Sequence, residues 1–272
     1  MLNLKDYRGA IASFTKTIEI NPNNAAAYCN RGIAKGNLED FNESIADLTK
    51  AIDLDPNSEN AYNNRGATKL KLQDYIGAID DYNIAIKLNP MDQMAYNNRG
   101  NAKMNNKDYS GAIADYTKVT EINPNFEEAY FNRGYTKYCL QDYSGAIADY
   151  TMAIDLDPEY AKAYFARGVA KGDFHTYKEA IIDYTKTIQL VPEYAKAYYY
   201  RGFTKYKLQD YIEAIVDLSK AIVLDPNDAE AYYCRGIAKI ESGKNDAGCL
   251  DFGKAGDLGY AEATEAIKKY CH

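Results

Sequence analysis

Apolar positions along the chain recur at helical spacing, in short runs separated by polar breaks. From Tyr75 to Leu88, Ile79, Tyr82 and Ile86 stand at i, i+3 and i+7, the stripe of an amphipathic helix. The preceding run, Ala61 to Leu72, contains no proline and reads A-Y-x-x-R-G-x-x-K. Gln73-Asp74 interrupts the two runs, and Asn89-Pro90 ends the second, because proline cannot continue a helix and drives the residue before it out of the α region. No segment shows the alternation of a half-buried strand. The pattern predicts paired helices and an all-α fold.

That pair repeats. All seven prolines, from Pro22 to Pro226, are 34 residues apart. The same step separates the Arg-Gly pairs from Arg31-Gly32 to Arg235-Gly236, a Tyr four residues before each Gly, a Lys three after it and an Asp fifteen after it. A fixed period in this range denotes a stacked repeat array in which each unit packs on its neighbours. Glycine within a helix costs about 1 kcal/mol relative to alanine. Its recurrence at one register therefore predicts a close approach between the helices of a unit, with Ala78, Ala85 and their equivalents Ala112, Ala146 and Ala153 as the matching small surface. The Tyr rings before each Gly are expected to cover that contact. Arg31 with Asp47, and so on to Arg235 with Asp251, is expected to form a partly exposed ion-pair ladder, weakly stabilising at about 0–1 kcal/mol per pair.

The helix-turn-helix with aromatic, Gly, Ala, aromatic, Ala and Pro in this order resembles the tetratricopeptide repeat family. In the unit 59–92 the matching residues are Tyr62, Gly66, Ala78, Tyr82, Ala85 and Pro90. Tyr stands where the family more often has Trp, and Arg and Lys where Leu and Tyr are usual. The resemblance implies an α-solenoid of antiparallel helix pairs coiled into a right-handed superhelix. The units run 25–58, 59–92, 93–126, 127–160, 161–194 and 195–228, with a degenerate last unit at 229–257 and a capping helix in 258–272. Residues 1–24 supply only the second helix of a unit (Ala10, Ile11, Phe14, Ile18). This is expected either because the chain is a fragment of a longer array or because the bare face meets another molecule, including another copy of the chain. The run Ala261 to Tyr270 reads as the final amphipathic helix.

In a repeat array, recurring positions carry the packing and positions free to differ do not. On a helical wheel the first helix of each unit leaves one broad variable face, Asn60, Asn63, Asn64, Ala67, Leu70 and Lys71 in the unit 59–92. The resemblance implies that this face lines a concave groove for partner peptides. It is amide-rich in the early units, with Asn63, Asn97, Asn101 and Asn132, and turns aromatic from Phe131 onward, through Tyr135, Tyr138, Phe165, Tyr199, Phe203, Tyr206 and Tyr233. Aromatic rings bury much area at low entropic cost and dominate binding hot spots. With Lys162, Lys196 and Lys207 on the same face, the groove is expected to be locally positive and to suit a peptide with apolar anchors and a carboxylate. The alternative is that the rings are sealed between neighbouring units. Some family members clamp a C-terminal carboxylate with Lys, Asn, Asn, Lys and Arg. Asn101, Asn132 and Lys162 match, but Asn97 and Ala166 replace the first Lys and the Arg, which argues against that activity here.

Composition narrows the remaining functions. Thirty-nine acidic against 32 basic residues give a net charge of −7, which disfavours nucleic acid; stacking of single-stranded RNA or a glycan on the rings is the minor alternative. No run approaches the roughly 20 apolar residues of a membrane span, and the start MLNLKDYRGA shows no secretory signal, so a cytoplasmic location is expected. Five cysteines without paired spacing fit reduced, intracellular thiols, with Cys249 and Cys271 as small buried hydrophobes although they come near each other in the cap. His175 in a turn and His272 at the terminus neighbour no ligand set, and the Arg-Gly pairs are mid-helix and not phosphate loops. No catalysis, metal or cofactor is expected. The reading is a non-catalytic scaffold for a peptide or helix of a partner protein.

Overall fold

A computed structural model describes residues 4–271, so His272 lies outside the described residues. Among these residues there are sixteen helices and no strand. They are α1 (Leu4–Ile20), α2 (Ala25–Asn37), α3 (Phe41–Leu54), α4 (Glu59–Lys71), α5 (Tyr75–Leu88) and α6 (Gln93–Asn105). Next come α7 (Tyr109–Ile122), α8 (Glu127–Cys139), α9 (Tyr143–Leu156), α10 (Ala161–Asp173) and α11 (Tyr177–Leu190). The last are α12 (Ala195–Lys207), α13 (Tyr211–Leu224), α14 (Ala229–Glu241), α15 (Asn245–Asp257) and α16 (Glu262–Tyr270). Even-numbered helices from α2 to α14 are the first of each pair and odd-numbered ones the second. Contacts divide the chain into two compact units, at Thr136 and Lys137 within α8.

Local chemistry sets the boundaries. Asp74, Asp108 and Asp142 cap the second helices by accepting from the backbone N–H of Gly77, Gly111 and Gly145, each at 3.0 Å. The residue before each cap is left-handed, as at Gln73 (φ 63°) and His175 (φ 60°), which turns the chain back on itself. At the far end Asn89 is extended (φ −133°, ψ 90°) ahead of Pro90.

The close approach at glycine is as expected. A Cβ on Gly66 would meet Tyr82 Cε1 at 2.9 Å, and one on Gly100 would meet Tyr116 Cε1 at 2.7 Å. The ring that fills this space belongs to the second helix. Tyr82, Tyr116, Tyr150 and Tyr184 are fully buried there, with Leu48, Leu218 and Phe252 at the same register. The Tyr four residues before each Gly has another place: Tyr28, Tyr96 and Tyr198 lie beneath the guanidinium of Arg31, Arg99 and Arg201, 5.3–5.7 Å from carbon to ring centre.

The ion-pair ladder exists but is not the solvated stripe expected. Arg65 grips Asp81 with two hydrogen bonds of 3.0 and 2.7 Å, and Lys69 reaches the same carboxylate at 2.7 Å. Asp81, Asp115, Asp183 and Asp217 are buried. Each Arg also donates backward to the preceding pair, Arg65 to Thr49 Oγ1 and Arg167 to Thr151 Oγ1, so one side chain ties three helices together. At Asp47 burial pushes the carboxyl up, but hydrogen bonds from Arg31 and Lys35 outweigh it and hold the group below its ordinary range. Bidentate geometry and burial make these pairs costly to break, unlike exposed ones.

A second expectation is overturned at the cap. Cys249 and Cys271 form a disulfide, with Cα atoms 5.7 Å apart, that ties α15 to the end of α16. Widely separated in sequence, they offered no paired spacing to read. Cys29, Cys139 and Cys234 are free thiols. Among the described residues no helix is long and apolar enough to cross a membrane.

Candidate functional site

Part of the variable face of the first helices is where successive first helices meet, through a step of 35 residues. Asn98 Nδ2 donates to Asn63 Oδ1 (3.3 Å), Asn132 Nδ2 to Asn97 Oδ1 (3.4 Å), and Tyr199 Oη lies 3.7 Å from Cys234 Sγ. This contact explains two corrections. Asn97 and Tyr199, expected in an open groove, are buried, Tyr199 at 8% exposure within a cluster with Leu218, Ala221, Ile222 and Cys234. Burial pushes the Tyr199 phenol well above its ordinary range, with Cys234 and Glu230 adding to the shift. The amide-rich stretch likewise satisfies itself: Asn101 Oδ1 accepts from Tyr116 Oη at 2.7 Å and from Asn132 at 3.5 Å.

The other predicted residues fall into three groups. Tyr135, Lys162 and Lys196 are exposed, whereas Asn63, Asn101, Phe131 and Asn132 are half-buried in the N-terminal unit. Tyr138, Phe165, Phe203, Tyr206 and Tyr233 are half-buried in the C-terminal unit. There Phe165, Phe203 and Tyr206 join a continuous belt of rings, while Tyr138 packs against Tyr143 and Tyr233 against Phe252 and Tyr260. Phe165 contacts Tyr194 (5.0 Å between centres) and meets Tyr200 edge-on (5.4 Å); Tyr200 meets Tyr199 (5.3 Å); and Phe203 links Tyr199 to Tyr206.

Beside this belt is a cleft of about 340 Å³ lined by Tyr143, Val169, Gly172, Asp173, His175, Tyr177, Tyr184, Tyr200, Phe203, Thr204 and Lys207. Lys207 Nζ stands 4.9 Å over the Phe203 ring, and Asp173 accepts a hydrogen bond of 2.6 Å from Tyr138 Oη. His175 Nδ1 lies 2.8 Å from Tyr177 Oη. Burial raises the phenols of Tyr138 and Tyr200, and for Tyr138 the bond to Asp173 adds to it, so these groups are neutral donors at physiological pH. A second, more open depression of about 500 Å³ has Lys196, Tyr199, Tyr200 and Tyr260 beside Asp228 and Glu230. The charge at these depressions is mixed and not simply positive: Lys207 shares its cleft with Asp173, and Lys196 its depression with Asp228 and Glu230.

Sequence reasoning missed Tyr143, Asp173, His175 and Tyr177. Tyr143 and Tyr177 recur every 34 residues and so read as packing, although their rings line the cleft. Asp173 shares the variable register of Lys71, and reading that register along the chain would have found it. Among the described residues no group of His, Cys, Asp and Glu is arranged to hold a metal ion.

Models of the tetratricopeptide repeat match residues 25–58 and 94–126, and models of the TPR repeat match 137–173 and 204–243, together over half of the chain. The chain belongs to the tetratricopeptide repeat family. No curated protein matches its sequence. Among solved structures it is similar to MamA, at 29% identity over 66% of this chain and 96% of MamA, with a TM-score of 0.58. YrrB, described as a TPR protein with an unusual peptide-binding site, is 23% identical over 68% of this chain and 95% of its own, with a TM-score of 0.58. The C-terminal part of a TPR repeat-containing protein from Cytophaga hutchinsonii shares the fold at 20% identity, covering 83% of this chain and 93% of its own with a TM-score of 0.69.

Proposed function

We propose that this TPR protein is a non-catalytic scaffold that captures a peptide segment of a partner protein in the cleft between α10 and α12. The observation that carries the reading is the pairing of half-buried, non-repeating rings, Tyr200 and Phe203, with charge at the same opening, Lys207 and Asp173. A cleft of about 340 Å³ accommodates one or two side chains and not a whole helix. The ligand in this reading is an extended segment with an aromatic or aliphatic anchor against the rings and a carboxylate for Lys207. YrrB, which shares the fold, is described as having a peptide-binding site, and this supports peptide capture as a use of the fold.

Selection of displayed random peptides on the whole protein tests this. The winners are expected to share an apolar anchor next to an acidic residue, and to lose binding to a Phe203→Ala, Lys207→Glu variant whose helicity is unchanged. Peptides that bind this variant as well as the parent would refute the assignment. Tyr199 is unsuitable for the test, because truncating it opens the core.

A further inference from the structure

Helix α13 carries aliphatic side chains on both its inner and its outer side. Its inner side buries Ala214, Leu218, Ala221 and Ile222. Its outer side, which a solvated helix fills with polar residues, carries Ile212, Val216 and Val223, all more than half exposed. The stripe continues onto the neighbouring second helices. In register with Val216 (56% exposed) stand Ile182 on α11 (67%) and Leu250 on α15 (77%). The N-terminal unit has Ala46, Asp80 and Ala114 at this register, so the fold does not require the row. An exposed aliphatic row of this extent marks an interaction surface.

Charge borders the row on both sides. Four residues after each aliphatic come Lys186, Lys220 and Lys254; three or four before come Glu179, Glu213 and Asp246. Lys220, Lys254, Glu179 and Asp246 form no ion pair among the described residues, Glu213 is held loosely by Lys205 at 3.3 Å, and Lys186 lies 6.0 Å over Tyr164. Within one helix the lysine and the acid are seven or eight residues apart, about 10–12 Å along the axis, too far to pair. A two-fold axis lying along the row removes that distance. It sets Lys220 of one copy against Glu213 of the other, Lys254 against Asp246, and Lys186 against Glu179. Ile182, Val216 and Leu250 then each meet their own counterparts. Complementarity to itself under a two-fold is what an isologous dimer interface requires.

We infer that the outer face of α11, α13 and α15 is a homodimer interface, with a second copy of this chain docked antiparallel across α13. The surface is separate from the peptide cleft and does not rest on it.

Sedimentation velocity of the whole protein over a wide concentration range tests the interface. The parent forms a reversible dimer, and Val216→Asp is monomeric with unchanged helicity. Lys220→Glu and Glu213→Lys each bring like charges together at two symmetry-related points, and each weakens dimerisation by about a hundredfold. Mixed in equal amounts they form a heterodimer of near-parent affinity, because every like-charge contact becomes an opposite one. A parent that stays monomeric at its highest concentration overturns the inference. So does a dimer indifferent to Val216→Asp, or a mixture no tighter than the two variants alone. Val216-dependent binding of a monomeric chain to phosphatidylcholine–phosphatidylglycerol vesicles would also overturn it, by assigning the face to a lipid surface.

Discussion

Removing one hydroxyl should have opposite effects in two adjacent repeats. Tyr82 and Tyr116 occupy the same register, each ring lying under a glycine and each fully buried. Tyr116 Oη donates to Asn101 at 2.7 Å, whereas Tyr82 Oη is buried without a partner, because Ala67 stands where the next repeat has Asn101. A buried hydroxyl without a partner costs about 1–3 kcal/mol, and a satisfied bond contributes about 1 kcal/mol net. Tyr82→Phe is therefore expected to leave stability unchanged or raise it by up to about 1 kcal/mol. Tyr116→Phe is expected to lower it by about 1 kcal/mol, roughly 2 °C in Tm for a chain of this size. Ala67→Asn should recover about 1 kcal/mol from the new bond, less roughly 0.5 kcal/mol of lost helix propensity, and should gain nothing when Tyr82 is already Phe. Urea unfolding with matched slopes measures all four variants. Equal losses for Tyr82→Phe and Tyr116→Phe would refute the reasoning.

Three further outcomes follow from the packing. Asp81→Asn strands Arg65 and Lys69 beside a neutral side chain and should cost about 3 kcal/mol by urea unfolding, well above the 0–1 kcal/mol of an exposed pair. Burial, with a hydrogen bond and repulsion from Asp92, raises the Glu59 carboxyl to about 7; the contribution of this group to stability is therefore full below about pH 4.5 and is lost as pH rises through 7. After screening at this partly exposed site the decline should be about 1 kcal/mol or less, and Glu59→Gln should abolish it in thermal melts taken at pH 5 and pH 8. Cys271→Ser opens the 22-residue span closed by the disulfide and should cost about 3 kcal/mol, seen first as faster amide exchange in α16.

The fold was legible because it is written seven times. One Pro or Gly in a single unit would be weak support; a recurrence at 34 residues leaves packing as the common cause. The site was less legible, because repetition does not separate wet from dry. Tyr199 and Asn97 vary between units yet are buried, since neighbouring first helices touch through the variable face with whatever side chains each pair supplies. Tyr143 and Tyr177 recur yet line the cleft, since their neighbours differ while they do not. The approach of Cys249 to Cys271 was legible but their bond was not, because a separation of 22 residues is no paired-cysteine spacing. The Arg–Asp ladder was visible as spacing, but the Thr and Ser hydroxyls that complete it could be placed only once the preceding second helix was seen against the Arg.

Photocrosslinking tests the central claim most directly. A selected peptide with a photoreactive phenylalanine at its anchor position is expected to attach to residues of the cleft, Tyr143, Tyr177 and Phe203 among them, and Lys207→Glu should weaken its binding by about tenfold. Attachment confined to α14 or to the outer face of α13, with Lys207→Glu silent, would contradict the assignment.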